Sequence, residues 1–231
     1  MMGLGRVRRA ACLAALAVLP ALAVAEAQPT AATVVSVNPA VSRARAGAAP
    51  QAVSLGMQML EGDSLRTDSH GGLRLVLADG SLFAVLPNSE VSFDKLGPQG
   101  AGGSVFKLLK GILQASVKRL KGNERQLVVT SNGVAGVKGT EYQVSAEGGR
   151  MELKVLSGVV ELKDPAGKGA VSVPAGHAAV SYADHVGALR AMDRDEVAAL
   201  RKAFLAQVQQ AQGDYLKRVR GINGKKAGTA N

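Results

Sequence analysis

From Thr33 to Tyr182 the chain alternates apolar and polar residues, with glycines breaking the pattern at short intervals. Successive side chains of an extended strand point to opposite faces, so this period predicts strands with one face on a core and one toward water. Met151-Glu152-Leu153-Lys154-Val155 is the cleanest case, and Val160-Glu161-Leu162-Lys163 repeats it after a turn at Ser157-Gly158. Leu73 to Leu77, the turn Ala78-Asp79-Gly80, and Ser81 to Val85 read as a hairpin, because Asp-Gly suits the positive φ of a tight turn. Leu82 to Leu86 is apolar at every position, which predicts a strand covered on both faces. Gly111, Gly158 and Gly176 each stand between two apolar stretches and read as three tight turns. Pro98 to Gly103 reads as a surface loop. Closely spaced turns with no helical period between them predict an all-β fold: a sandwich, a roll or a short β-solenoid.

After Asp193 the period changes. Val197, Leu200, Phe204, Val208, Ala211, Tyr215 and Val219 recur at helical spacing and form one narrow apolar stripe. Asp193 suits the cap, and Glu196 stands where a capping box places its acid. The expectation is a C-terminal amphipathic helix over 193–220, about 40 Å long, followed by a disordered tail over 221–231. The stripe suits docking on the β-domain, pairing in a homodimer or with a partner, or lying on an anionic membrane.

At the other end Arg6, Arg8 and Arg9 precede an apolar run from Ala10 to Val24 and small-residue sites at Ala23-Val24-Ala25 and Ala25-Glu26-Ala27. That layout predicts a cleaved signal peptide over 1–27. The run is shorter than the roughly 20 residues that span a bilayer core. The β-domain is then expected over 28–185, in a periplasmic protein. Cys12 is the one cysteine and lies in the leader, so a disulfide framework and a thiolate metal site are both excluded from the mature chain. The net charge of +10 suits an acidic partner or an anionic surface. With four Phe, three Tyr and no Trp, a base-stacking platform has little support, and nucleic acid is not expected as a partner.

No nucleophile, base and orienting group assemble in the sequence. His70, His177 and His185 have no His or Cys at ligand spacing. The stretch from Gly133 to Thr140 lacks the Gly-Lys-Ser/Thr ending of a phosphate loop. Ser92/Lys95 and Ser104/Lys107 have Ser-x-x-Lys spacing, but on strands residues three apart point to opposite faces. The reading is a non-enzymatic protein without cofactor or metal.

An ordered set of short motifs is more specific. Gly62-Asp63 comes first and Asp79-Gly80-Ser81 second. The stretch Val137-Lys138-Gly139-Thr140-Glu141-Tyr142-Gln143-Val144 follows, then Gly158-Val159-Val160 and Pro174-Ala175-Gly176. This order resembles the FecR domain family over roughly Leu60 to Val180. The resemblance implies a periplasmic all-β module. In iron-responsive regulators such a module passes a signal from an outer-membrane receptor to a cytoplasmic sigma-factor regulator. Its structural residues would here be Gly62, Asp63, Asp79, Gly80, Gly139, Thr140, Gly158 and Gly176. No second apolar run has spanning length, so the expectation is a standalone module of the cell envelope that engages a partner protein through its β-domain. The alternative is an accessory binder of anionic envelope polysaccharide, with Lys107, Lys110, Lys118, Arg119, Lys121 and Arg125 as the candidate interaction surface.

Overall fold

The computed structural model describes residues 32–97, 103–120 and 124–227. The expected leader, most of the loop at 98–103, Lys121 and residues 228–231 lie outside the described residues. In chain order come β1 (Ala32–Asn38), β2 (Val41–Arg45), β3 (Gln51–Ala52), β4 (Gln58–Met59), β5 (Asp63–Thr67) and β6 (Gly72–Val76). Next are β7 (Leu82–Val85), β8 (Glu90–Lys95), β9 (Val105–Ser116), β10 (Gln126–Thr130), β11 (Gly133–Val137) and β12 (Glu141–Glu147). The last strands are β13 (Arg150–Ser157), β14 (Val159–Lys163), β15 (Ala170–Pro174), β16 (His177–Ser181) and β17 (Arg190–Ala191), followed by the helix α1 (Arg194–Ala227).

The strands form a two-sheet sandwich. The first sheet runs β4-β1-β6-β7-β9-β12-β13-β16-β17. The second runs β3-β2-β5-β8-β9-β10-β11-β14-β15. Every pairing is antiparallel except β9 with β10. β9 belongs to both sheets, with four strands on each side of it in each. Its first half pairs with β8 and β10 and its second half with β7 and β12.

The bend in β9 falls at Gly111, whose φ is +89°. A Cβ there would collide with Ser89 Oγ. The buried Ser89 hydroxyl accepts the N–H of Ile112 at 2.9 Å, so the ladder bond interrupted at the corner is replaced. This corrects the sequence expectation of three tight turns: Gly111 is a corner inside one strand, Gly158 is a second corner where the chain leaves β13 in the first sheet for β14 in the second, and Gly176 lies in the turn that returns it from β15 to β16. A glycine that turns a chain and one that lets it pass between sheets look alike in sequence.

Inward residues of both sheets make one core. Phe83 of the first sheet meets Phe106 of the second with ring centroids 4.5 Å apart, and Phe93 meets Phe106 edge-on at 5.6 Å. Leu65, Leu75, Leu113, Leu153 and Leu162 are fully buried around them. Each such side chain contributes roughly 1.5–3 kcal/mol of burial. Tyr142 is fully buried as well, and burial pushes its hydroxyl pKa up.

The helix packs on its own domain. Asp193 Oδ1 accepts the Glu196 N–H at 2.7 Å and caps the first turn. The capping box is only half made, because the Glu196 carboxylate is held elsewhere by Arg190 and by Lys154 at 2.8 Å. From there α1 crosses the outer face of the first sheet. Leu200 and Phe204 cluster with Ala178, Met192 and Leu156. Phe204 and Val208 then meet Leu82, Ala84, Gln114 and Ser116. Further on, Gln210 donates to Asn38 Oδ1 at 3.1 Å, and Ser36 donates to Asp214 Oδ2 at 2.6 Å. The strand predicted to be covered on both faces is so covered, with Phe83 and Val85 in the core and Ala84 under the helix.

The helix ends later than expected, at Ala227 rather than near Arg220. Gly213, Gly221 and Gly224 weaken a helix but keep their N–H groups, and no proline follows Pro174 to remove one.

A candidate interaction surface

The motif glycines shape the framework. Gly62, with φ +80°, turns the chain into β5 and donates its N–H to Phe93 O at 2.8 Å. Next to it, Asp63 is fully buried and accepts Arg45 through both oxygens at 2.6 and 2.8 Å, with the Leu60 N–H at 2.9 Å. Burial pushes its carboxyl up, but these bonds and the nearby charge of Arg43 outweigh it and hold it below the usual carboxylate range. Asp79 accepts the Ser81 N–H at 2.7 Å and Gln126 Nε2 at 3.1 Å, tying the Asp79-Gly80 hairpin to the start of β10.

Gly139 and Gly158 meet at one place. Gly139 has φ +135°, and a Cβ there would lie 2.8 Å from Arg119 Cα. A Cβ on Gly158 would strike Thr140 Cγ2. Thr140 is buried behind them. Gly176 turns β15 into β16 and accepts the Met192 N–H at 2.9 Å, which leads the chain toward α1.

The predicted basic surface does not form one patch. Lys107 and Lys110 project from the first half of β9, on the outer face of the second sheet. Arg125 lies beside the same face but is paired with Glu161 at 2.7 Å. Lys118 and Arg119 follow the far end of β9: Lys118 stands over Gly80, and Arg119 lines an open groove of about 650 Å³ with Leu120, Lys138, Gly139, Gly158 and Val159. The corner at Gly111 separates the two groups, since a bent strand does not present all its basic residues on one plane.

What sequence reasoning missed lies between Lys107 and Lys163. The register aligns Lys107 with Val129, Val129 with Val134, and Val134 with Lys163 across four strands. A neighbouring row aligns Val105, Leu127, Gly136 and Glu161. These residues alternate with the buried Phe106, Val128 and Ala135, so they sit on the outer face. Leu109 on the same face is 48% exposed. The outer face of the second sheet is thus an apolar strip bordered by lysines, with no counterpart of α1 over it among the described residues. Leu127-Val128-Val129, apolar at three successive positions, carried that signal in the sequence.

Among the described residues no three His, Cys, Asp or Glu side chains gather as a metal site. No described helix is long and apolar enough to cross a membrane.

Residues 63–161 match the family model described as FecR protein. Among solved structures, a proposed anti-sigma factor from Parabacteroides distasonis ATCC 8503, solved at 2.50 Å, is 16% identical with a TM-score of 0.50, the match covering 59% of this chain and 62% of the other. Its 1.65 Å structure gives a TM-score of 0.49 at the same identity, over 59% and 63%. This chain thus spans under two thirds of the length of those it matches. At that identity the likeness speaks for the β-fold. No curated protein matches the sequence.

Proposed function

Because residues 63–161 match the FecR family model, we propose that the protein is a non-enzymatic binding module of the cell envelope that takes part in signalling by engaging a partner protein through its β-domain. The observation that supports this reading is the asymmetry of the sandwich. The helix closes the outer face of the first sheet, whereas the second sheet presents Leu109, Leu127, Val129 and Val134 among Lys107, Lys110 and Lys163. An apolar strip with a charged border is the make-up of a protein-binding surface. The net charge stays strongly positive once Arg6, Arg8, Arg9 and Glu26 leave with the leader, and it speeds encounter with an acidic partner. Export with removal of residues 1–27 belongs to the same proposal, and intact mass of the envelope-derived protein tests it: a mass retaining Met1 overturns export.

A photo-crosslinking amino acid at Leu109, in the full chain expressed in its native envelope, tests partner binding. The expected result is one specific protein adduct at both low and high salt. A second reading, binding of anionic envelope polysaccharide, draws on Arg119 and Lys138 in the groove beside Gly139 and Gly158. Recovery of polymer alone, lost as salt rises, favours that reading, because exposed charges are screened within about 10 Å at 0.1 M salt.

A further inference from the structure

The four ends of the two sheets are not alike. β3, β4 and β17 are each two residues long. β15, at the far end of the second sheet, has five residues. Its sequence, Ala170-Val171-Ser172-Val173-Pro174, carries no charge. Short strands, edge charges and edge prolines are the usual protections against strand addition, and β15 has only the last, Pro174 at its end.

The register says which backbone groups are free. Ala175 donates to Gly158 O at 3.0 Å, and Asp164 to Gly169 O at 3.1 Å. With the pairing of Val160 to Val173 and Leu162 to Val171, these bonds turn the N–H and C=O of Val171 and Val173 toward β14. The N–H groups of Ala170 and Ser172, and the carbonyls of Ala170, Ser172 and Pro174, therefore point away from the sheet. They have no partner among the described residues. Pro174 is tolerated because its missing N–H would have faced outward.

The edge is also held in shape. At one end the Asp164 carboxylate accepts the N–H of Lys168 at 3.1 Å and that of Gly169. At the other, Gly176 donates to Val155 O at 2.8 Å. A strand already fixed loses little further entropy on pairing.

We infer that β15 is the docking edge for an extended, acidic segment of a partner protein, which adds to the second sheet as a further strand. This inference rests on the partner-binding reading and deepens it. Main-chain hydrogen bonds supply the attachment in such strand addition, and alternate side chains the selectivity. On the core side the added strand lies beside Val171 and Val173, so its residues there are apolar. On the outer side it meets Ala170, Ser172 and Pro174; Lys168 stands at one end, and one strand back Glu161 is held by both Arg125 and Lys163, so its residues there are small or acidic. A second copy of this chain fits less well. Two such positively charged chains repel, and in self-pairing centred on Ser172 each Pro174 fails to donate to the opposite Ala170.

The test is made in the full chain in its native envelope, with p-benzoylphenylalanine at Ser172 and, separately, at Leu109. The edge is blocked by Ala170→Pro, which removes an outward N–H and leaves the β14 ladder intact. The expected result is one protein adduct from both positions, reduced at least ten-fold by Ala170→Pro, with the adduct peptide carrying acidic residues. The free blocked chain should keep its melting temperature within a few degrees. If the blocked chain folds poorly, hydrogen exchange on the unblocked complex replaces it: the Ser172 amide must gain protection on adduct formation. An undiminished adduct in the folded Ala170→Pro chain, an unprotected Ser172 amide, or an adduct consisting of a second copy overturns the inference. A protein adduct from Leu109 alone overturns the edge and leaves the broader reading standing. No protein adduct from either position overturns both.

Discussion

Ser36 in the first strand donates a 2.6 Å hydrogen bond to Asp214 in the C-terminal helix, 178 residues away in sequence. The same hydroxyl accepts Arg74 Nη1 at 3.1 Å. Arg74 lies buried on the outer face of β6, where burial lowers its pKa and the charge of Asp214 opposes that. These contacts tie the second half of α1 to the first sheet, as Phe204 ties its first half.

Asp214→Ala should therefore destabilise the protein by about 1–3 kcal/mol, because Arg74 is left buried without its counter-charge. Adding Arg74→Met should recover most of the loss. Urea denaturation of both single variants and the double variant measures this coupling. Additive losses would mean that the two residues act independently.

A chain ending at Asp193 should lose more. Without α1, Leu82, Ala84, Leu156 and Ala178 on the first sheet face water. The expected outcome is a lower urea midpoint and increased binding of a hydrophobic dye. Phe204→Ala alone should cost about 3–5 kcal/mol. An unchanged midpoint on truncation would show that the helix contributes nothing to the domain.

The motif glycines should differ among themselves. Gly62 has φ +80° with open space around it, so Gly62→Ala should cost about 1 kcal/mol of backbone strain. Gly139→Val combines φ +135° with the Arg119 backbone 2.8 Å from its Cβ, and should cost roughly 1–3 kcal/mol. Gly158→Ala adds a collision with Thr140 and should exceed Gly62→Ala. Thermal melts rank the three, and equal losses would argue against steric contact at Gly139 and Gly158.

Glu196 predicts an acid response. Hydrogen bonds from Arg190 bring its pKa down to about 2 against the cost of burial, with Lys154 adding to the effect. A carboxyl lowered on folding stabilises fully above its unfolded pKa, 4.5, and loses that contribution as pH falls toward 2. Urea midpoints between pH 6 and pH 2 should fall less steeply for Glu196→Gln than for the parent chain. The difference should be on the order of 1 kcal/mol, the size for a partly exposed ion network. Parallel curves would remove Glu196 from the acid response.

Much of the fold was legible locally. Alternation in Met151 to Val155 and Val160 to Lys163 identified β13 and β14 and their buried residues, because a strand side chain's direction depends on its parity alone. The Asp79-Gly80 turn and the Asp193 cap were legible for the same reason: each bond closes within a few residues. The candidate surface was half legible. The sequence marked the lysines of β9 but not the bend at Gly111 that divides them, where Ser89 occupies the space a Cβ would need.

By itself the sequence determined strands, turns, the capped helix and two stretches with apolar residues on both faces, Leu82 to Leu86 and Leu127 to Val129. Only the tertiary structure decided that the first is covered by Phe204 and Val208 while the second has no helix over it among the described residues. It also decided that the Ser36 hydroxyl joins Arg74 to Asp214 and that β15 ends a sheet. Local geometry sets which way each side chain points, but what it meets there depends on the packing of elements far apart in the chain, and no local pattern encodes that.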